Sequence, residues 1–140
     1  EDHYQITQEI LFYPVTTMAA DTSSYQRFAT GYPLSAETMY WFIDHYITHH
    51  DDRMNPSLSP LYYENLDAHM RSFILTVGID PLCDEGIDYA RKLIVNGNYV
   101  EYHHQPDTIH GILTAAKIVN LGKEYIIKSC QFIRRFRDEV

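Results

Sequence analysis

The chain has 140 residues, which fits one domain, and 45% of them are hydrophobic, enough to build a core and to exclude a disordered segment. Its 11 Lys and Arg against 19 Asp and Glu give a formal net charge of -8. Because an acidic chain repels phosphate backbones, nucleic acid is not an expected partner. No apolar run approaches the roughly 18 residues that a membrane span needs, so no span is predicted. The first residue is Glu rather than Met, which fits a chain cut out of something longer.

Three segments have the character of β-strands. Residues 9–13 (EILFY) form a short apolar run that ends at Pro14, and residues 71–77 (RSFILTV) form a second one. Continuous hydrophobicity is typical of parallel strands that are covered on both faces. Residues 99–104 have a more alternating character and are predicted as the third strand.

Each predicted strand is followed, after a connecting segment, by helical periodicity. Ser35 is the predicted N-cap of the first helix. The predicted helices cover residues 36–49, residues 81 or 84 to about 96, and residues 118–137. The predicted loops cover residues 16–33, 49–60 and 107–113. This alternation predicts an α/β fold: about three parallel strands with covering helices and right-handed crossovers.

Two residues with acid–base chemistry follow neighbouring strands. Asp80 lies just past the second strand, and His110 lies in the loop past the third. In parallel sheets the chemistry sits at the carboxyl ends of the strands, so both side chains are expected at the same rim. A hydrolytic triad needs a carboxylate to orient an imidazole, and the imidazole to take a proton from a nucleophile.

The sequence around these two residues gives a more specific indication. Residues 78–86 (GIDPLCDEG) resemble the D-P-L-x-D-E-G motif of the hormone-sensitive-lipase family of esterases, which have the α/β-hydrolase fold. Residues 107–112 (DTIHGI) resemble the histidine loop of that family, with Ile112 where Phe is common. Further segments resemble the family in the same order: residues 13–15 (YPV), 25–28 (YQRF), 34–35 (LS), 39–42 (MYWF) and 55–61 (NPSLSPL). The resemblance covers nearly the whole chain.

The resemblance implies a role for each matching residue. Asp80 would be the triad acid and His110 the general base. Asp84 and Glu85 would be structural and would bind backbone donors at the turn or helix start. Four apolar residues flank the two catalytic positions, and they would either line an acyl-binding pocket or belong to the ordinary core: Leu82, Ile109, Ile112 and Leu113.

The nucleophile of such an enzyme is missing from this chain. In the α/β-hydrolase fold the serine lies in a G-x-S-x-G turn and precedes the acid and the base, and an HGGG-type loop forms the oxyanion hole. Neither pattern occurs here. The chain, residues 1–140, is therefore interpreted as the C-terminal segment of a single domain whose N-terminal half is absent, and it is predicted to be inactive alone.

The resemblance also implies partners. The substrates would be small or medium acyl esters, with acetyl to hexanoyl groups favoured, and neither a metal nor an organic cofactor is needed. The missing N-terminal half of the same enzyme would be the protein partner. Because residues 9–13 would normally pair with that half, an exposed strand edge predicts self-association of the isolated chain, as a homo-oligomer.

Two other functions compete with the esterase interpretation. A binding or assembly module that kept the fold and lost the nucleophile is the first. A metal-binding domain is the second, because His45 and His49 are four residues apart on a predicted helix and could face one zinc ion. His103 and His104 are neighbours on a strand, point to opposite faces and are not expected to chelate together.

The cysteines bear on the cellular compartment. Cys83 and Cys130 do not form a metal-type CxxC, and two cysteines do not make a disulfide framework. Free thiols in a reducing compartment are expected, with a single disulfide as the alternative. The predicted location is therefore cytoplasmic.

Overall fold

The computed structural model describes residues 6–64, 66 and 70–137. Its strands are β1 (Gln8–Phe12), β2 (Arg71–Ile79) and β3 (Tyr99–Ile109). They form one parallel sheet in the order β1-β2-β3, with Phe12 beside Leu75 at the end of β1. This confirms the predicted α/β fold with three parallel strands.

In this part of the chain, four α-helices and two short 3-10 turns connect and follow the strands. The helices are α1 (Ser23–Arg27), α2 (Ala36–Tyr46), α3 (Cys83–Val95) and α4 (Asn120–Phe136). The 3-10 turns cover His50–Met54 and Pro60–Tyr62. Within the described residues, no helix combines the length and the apolar character needed to cross a bilayer.

One long helix covers each face of the sheet. The side chains of β2 alternate between the two faces, and each set belongs to a separate apolar cluster. Ile74 packs against the α3 residues Tyr89, Ala90 and Leu93. Phe73 and Leu75 pack against the α4 residues Tyr125 and Phe132. Burial on both faces explains why β2 is a continuous apolar run in the sequence.

A third apolar cluster holds α1 and α2 against the carboxyl end of the sheet. Its buried members are Ala20, Tyr25, Ala36, Met39, Ile43, Ile47 and Leu82. The predicted N-cap of α2 is confirmed, since the Ser35 hydroxyl accepts a hydrogen bond from the backbone N–H of Thr38 at 3.3 Å. This cluster anchors the segment between β1 and β2 near the carboxyl end of β2, where the candidate site begins.

The structure corrects two of the predicted boundaries. The expected loop over residues 107–113 is wrong for residues 107–109, because β3 continues past Pro106 to Ile109. Proline lacks an N–H and is tolerated at a bulge, and the β2–β3 register shifts between Val77 and Ile79 opposite this point. The expected helix over residues 36–49 ends at Tyr46, because Ile47 turns to an extended backbone and its side chain enters the third cluster.

The predicted loop over residues 16–33 contains one element that the sequence pattern did not indicate. Helix α1 has five residues, too few to produce a helical repeat of apolar side chains. Its position depends instead on contacts distant in sequence. The Ser24 hydroxyl donates a hydrogen bond to the backbone oxygen of Pro81, 57 residues further along the chain.

Candidate active site

The turn between β2 and α3 holds Asp80. Its side chain is fully buried. One carboxylate oxygen, Oδ1, accepts a hydrogen bond from the Leu82 backbone N–H at 2.9 Å. The Asp80 backbone oxygen accepts another from Cys83 N–H at 3.1 Å, where α3 begins. Because these two bonds fix the turn, the second carboxylate oxygen has a defined direction.

That second oxygen meets His110, which directly follows β3. The distance between Asp80 Oδ2 and His110 Nδ1 is 2.7 Å. A carboxylate only accepts hydrogen bonds, so Nδ1 carries the proton and donates it. The His110 side chain is 25% exposed, whereas the Asp80 side chain is 0% exposed. The pair therefore joins a buried carboxylate to an imidazole that reaches a surface groove.

The turn after His110 is short and requires glycine. Gly111 has φ +86°, a conformation that L side chains rarely adopt. The Gly111 backbone oxygen accepts hydrogen bonds from Thr114, from its N–H at 3.0 Å and from its hydroxyl at 2.7 Å. This closed turn fixes the backbone immediately after the imidazole.

Tyr13 lies against the imidazole from the end of β1. The centroids of the Tyr13 and His110 rings are 4.2 Å apart, with an interplanar angle of 55°. Burial raises the pKa of the Tyr13 phenol, and a hydrogen bond from the backbone of Leu113 partly offsets that rise. Tyr13 belongs to a segment of the sequence that resembles the esterase family, but no role was predicted for it. Its contact with His110 depends on tertiary structure, so the sequence carries no direct signal for it.

The two acidic residues after Asp80 bind backbone donors, but not those at the start of their own helix. The Asp84 carboxylate accepts from the Ser24 N–H at 2.8 Å and from Arg27 at 3.0 Å. The Glu85 carboxylate accepts from the N–H groups of Thr16 and Thr17. Both acids therefore tie the segment that follows β1 to α3. Burial raises the pKa of Glu85 to about 7, although hydrogen bonds from the same backbone groups lower it.

An open groove of about 470 Å³ lies beside His110. Of the four flanking apolar residues, Ile109 and Ile112 line it together with His110. Leu82 is 2% exposed and lies in the α2 cluster. Leu113 packs against the cluster of β2 and α4. The structure thus brings two of the four predicted pocket residues to the groove and places the other two in the core.

The other histidines that the sequence singled out lie on α2, just after it and on β3. The His45 Nδ1–H donates to the Trp41 backbone oxygen at 2.7 Å, and α2 ends before His49. Across the described part of the chain, no group of three or more His, Cys, Asp or Glu side chains is arranged to hold a metal ion. His103 lies near the ring of Tyr125 on the α4 face, whereas His104 contacts Thr76 on the other face. The prediction that these two neighbours point apart is confirmed.

Comparison with known proteins gives consistent matches. A family model described as the alpha/beta hydrolase fold matches residues 1–114. Ethyl acetate hydrolase of Pseudomonas putida is 32% identical over 119 residues, 85% of this chain and 37% of that protein. Carboxylic ester hydrolase LipN of Mycobacterium tuberculosis is 36% identical over 104 residues, 74% of this chain and 28% of that protein. The chain therefore spans about a third of the length of these curated relatives.

The same likeness holds for solved structures. EstE1, a thermostable carboxylesterase cloned from a metagenomic library, matches with a TM-score of 0.86 at 27% identity. The match covers 92% of this chain and 45% of the EstE1 chain. LAE6, an alpha/beta hydrolase from the metagenome of Lake Arreo in Spain, matches with a TM-score of 0.78 at 35% identity, over 85% of this chain and 38% of that chain.

Proposed function

Because this chain belongs to the alpha/beta hydrolase fold family, we propose that it supplies the acid and the base of a carboxylic ester hydrolase of the hormone-sensitive-lipase type. The observation that carries the proposal is the 2.7 Å contact between Asp80 Oδ2 and His110 Nδ1. The contact joins the carboxyl ends of two adjacent parallel strands, where this fold class places its chemistry. Residues 1–140 are, in this proposal, the C-terminal segment of one catalytic domain, and the nucleophilic serine comes from its N-terminal half.

The proposed reaction passes through an acyl-enzyme. The serine oxygen attacks the ester carbonyl while His110 Nε2 removes the serine proton. The protonated imidazole then gives that proton to the alcohol oxygen as the bond between the acyl carbon and this oxygen breaks. In the second half, His110 takes a proton from water as the water oxygen attacks the acyl carbon, and the proton then passes to the serine oxygen as its bond to the acyl carbon breaks and the carboxylic acid leaves.

Asp80 acts on the imidazole throughout this cycle. By accepting the Nδ1 proton in a hydrogen bond, it holds the tautomer in which Nε2 is free to act as a base. Its negative charge stabilises the imidazolium that forms in each half-reaction. Full burial strengthens this interaction, because water does not screen the charge.

The substrates we propose are esters of small or medium acyl groups, from acetyl to hexanoyl. Two isoleucines, Ile109 and Ile112, give the groove beside His110 apolar walls, which suit an acyl chain better than a polar group. The name of the Pseudomonas putida relative, ethyl acetate hydrolase, describes an ester of this size.

The cytoplasm is the proposed compartment. Among the described residues both cysteines are free, with Cys83 buried and Cys130 exposed. An exposed free thiol is best preserved where the surroundings are reducing.

Hydrolysis of a short-chain nitrophenyl ester by the full-length protein tests the proposal. His110→Ala is expected to lower kcat by about 10⁴-fold or more, because the nucleophile then has no base. The matched control is His104→Ala, which changes an exposed histidine on β3 and is expected to leave kcat nearly unchanged.

An active full-length protein whose kcat survives His110→Ala would remove the base from the proposal. A folded full-length protein without ester hydrolysis would instead favour the alternative, a binding or assembly module on this fold. The two results are distinct, because the first requires activity and the second its absence.

A further inference from the structure

Tyr13 has an unusual backbone for its residue type. Its φ is +39°, in the left-handed region that bulky side chains avoid. It also precedes Pro14, and a residue before proline normally has an extended backbone. Such outliers persist where the surroundings hold them, and they concentrate at functional sites. The backbone is held here by a hydrogen bond from the Tyr13 N–H to the Leu75 oxygen at 2.6 Å.

The conformation turns the Tyr13 side chain from the end of β1 toward the histidine. Its ring lies 4.2 Å from the His110 ring, centroid to centroid, and its hydroxyl meets the backbone of Leu113 in the turn that follows. His110 is therefore contacted by the Asp80 carboxylate at Nδ1 and by the aromatic ring of Tyr13. The carboxylate holds the imidazole at Nδ1, and the Tyr13 ring packs against the imidazole ring.

From these contacts we infer that Tyr13 is a positioning residue for His110, and that its aromatic ring stabilises the imidazolium during catalysis. The inference rests on the proposed role of His110 as general base. A cation within about 6 Å of an aromatic ring is attracted by the electron density of the ring. The neutral imidazole gains less from the same contact, so the ring favours the state that forms as the serine proton is taken. The hydroxyl contact with Leu113 secures the turn and has no part in this stabilisation.

Four variants of the full-length protein separate these contributions. Tyr13→Phe keeps the ring and removes the hydroxyl. Tyr13→Leu removes the ring, and Tyr13→Asn removes it with a residue that tolerates positive φ, so that a folded ring-free variant is available. The matched control is Tyr99→Leu, because Tyr99 packs against Phe132 and Phe136 at the start of β3, the opposite end of the sheet from His110.

Two measurements report on the variants. Titration of isotope-labelled histidine by NMR gives the pKa of His110, and it is expected to fall by about half a unit in Tyr13→Leu and Tyr13→Asn. In nitrophenyl ester hydrolysis the same two variants are expected to lose about three- to tenfold in kcat with little change in KM, since the lost contact is with the transition state. Tyr99→Leu is expected to match the unsubstituted protein in both measurements, and Tyr13→Phe, which keeps the ring, is expected to lose less than the two ring-free variants in both.

An unchanged or raised His110 pKa in the ring-free variants would overturn the inference. So would a Tyr13→Phe protein that behaves like Tyr13→Leu, because the hydroxyl would then carry the effect. If Tyr13→Leu does not fold, the Asn variant decides. The NMR titration needs no activity, so a protein that does not hydrolyse esters but shows the pKa change would refute the proposed function and leave the contact with His110 established.

Discussion

Two fully buried carboxyl groups lie five residues apart at the start of α3, and their surroundings differ. Asp80 faces an imidazole, which can become positively charged. Glu85 faces the neutral backbone N–H groups of Thr16 and Thr17 and the hydroxyl of Tyr25. Burial without a positive partner favours the neutral acid, which is why the pKa of Glu85 is raised to about 7. This region thus contains one carboxylate with a proposed catalytic role and a second that links the segment after β1 to α3.

The raised pKa of Glu85 predicts a pH dependence of stability. Between pH 4.5, the ordinary pKa of a glutamate, and about 7, the unfolded chain has lost the Glu85 proton while the folded protein keeps it. The folded state therefore binds more protons, and stability falls as the pH rises through this window, then remains lower above it. Glu85→Gln removes this contribution, so we expect the variant to gain thermal stability relative to the unsubstituted protein as the pH is raised from 4.5 to 8.

Melting temperatures of the full-length protein across that pH range check this expectation. Glu37→Gln is the matched control, since Glu37 is exposed in the first turn of α2. A difference between the Glu85→Gln and unsubstituted proteins that stays constant with pH would contradict the argument.

At the scale of elements, the site depends on how closely β2 and β3 approach just before their carboxyl ends. A Cβ atom built on Gly78 would lie 2.1 Å from the backbone oxygen of Pro106. The neighbour is backbone in a paired strand and cannot rotate away as a side chain would. Gly78 therefore permits the close approach of the two strands at the irregular register around Pro106. This approach brings Asp80 and His110 to hydrogen-bonding distance.

Gly78→Ala is accordingly expected to destabilise the full-length protein by about 3 kcal/mol, near the upper end of overpacking costs, because the two strands must separate. Chemical denaturation gives the free energy of unfolding. Gly31→Ala is the comparison, since Gly31 has φ +84° but nothing within 4 Å of an added Cβ, so only the smaller conformational cost of about 1 kcal/mol applies. Equal losses in the two variants would refute the close-approach argument.

The elements that were predictable are those whose burial is visible in the pattern of their own residues. Strand β2 is largely apolar because both of its faces are covered, and the Ser35 cap is a local interaction. The proximity of Asp80 and His110 was predictable because parallel topology places both residues at one rim of the sheet. The end of β3 was missed because Pro106 normally argues against a strand, and α1 because five residues hold no period. The contact of Tyr13 with His110 joins residues 97 positions apart, which no local pattern encodes.

On the scale of the whole molecule, the described sheet has β1 at one edge. The Tyr13 N–H bonds to Leu75 in β2, and amides alternate in direction along a parallel strand, so the N–H of Ile10 points away from β2. An apolar strand with free backbone groups is a template for pairing with another chain. In the proposed enzyme the N-terminal half occupies this edge.

The isolated chain is therefore expected to self-associate and to show no ester hydrolysis. Gel filtration at several concentrations measures the first and a nitrophenyl ester assay the second. Ile10→Pro removes the outward-facing N–H and is expected to reduce self-association, because the proline blocks the edge without taking a β2 hydrogen bond. A compact monomer at all concentrations would contradict the edge argument, and hydrolysis by the isolated chain would contradict the assignment of the nucleophile to the other half.

Asp80 and His110 belong to a single unit of strand, helix and strand, β2-α3-β3, so their alignment is internal to this polypeptide. If the serine is carried by a separate polypeptide, no turnover occurs until the two are joined. Ester hydrolysis would then serve as a conditional signal: fused to two proteins of interest, the halves would produce colour only where those proteins meet. The division of the catalytic residues between the segments would make the enzyme suitable for complementation assays.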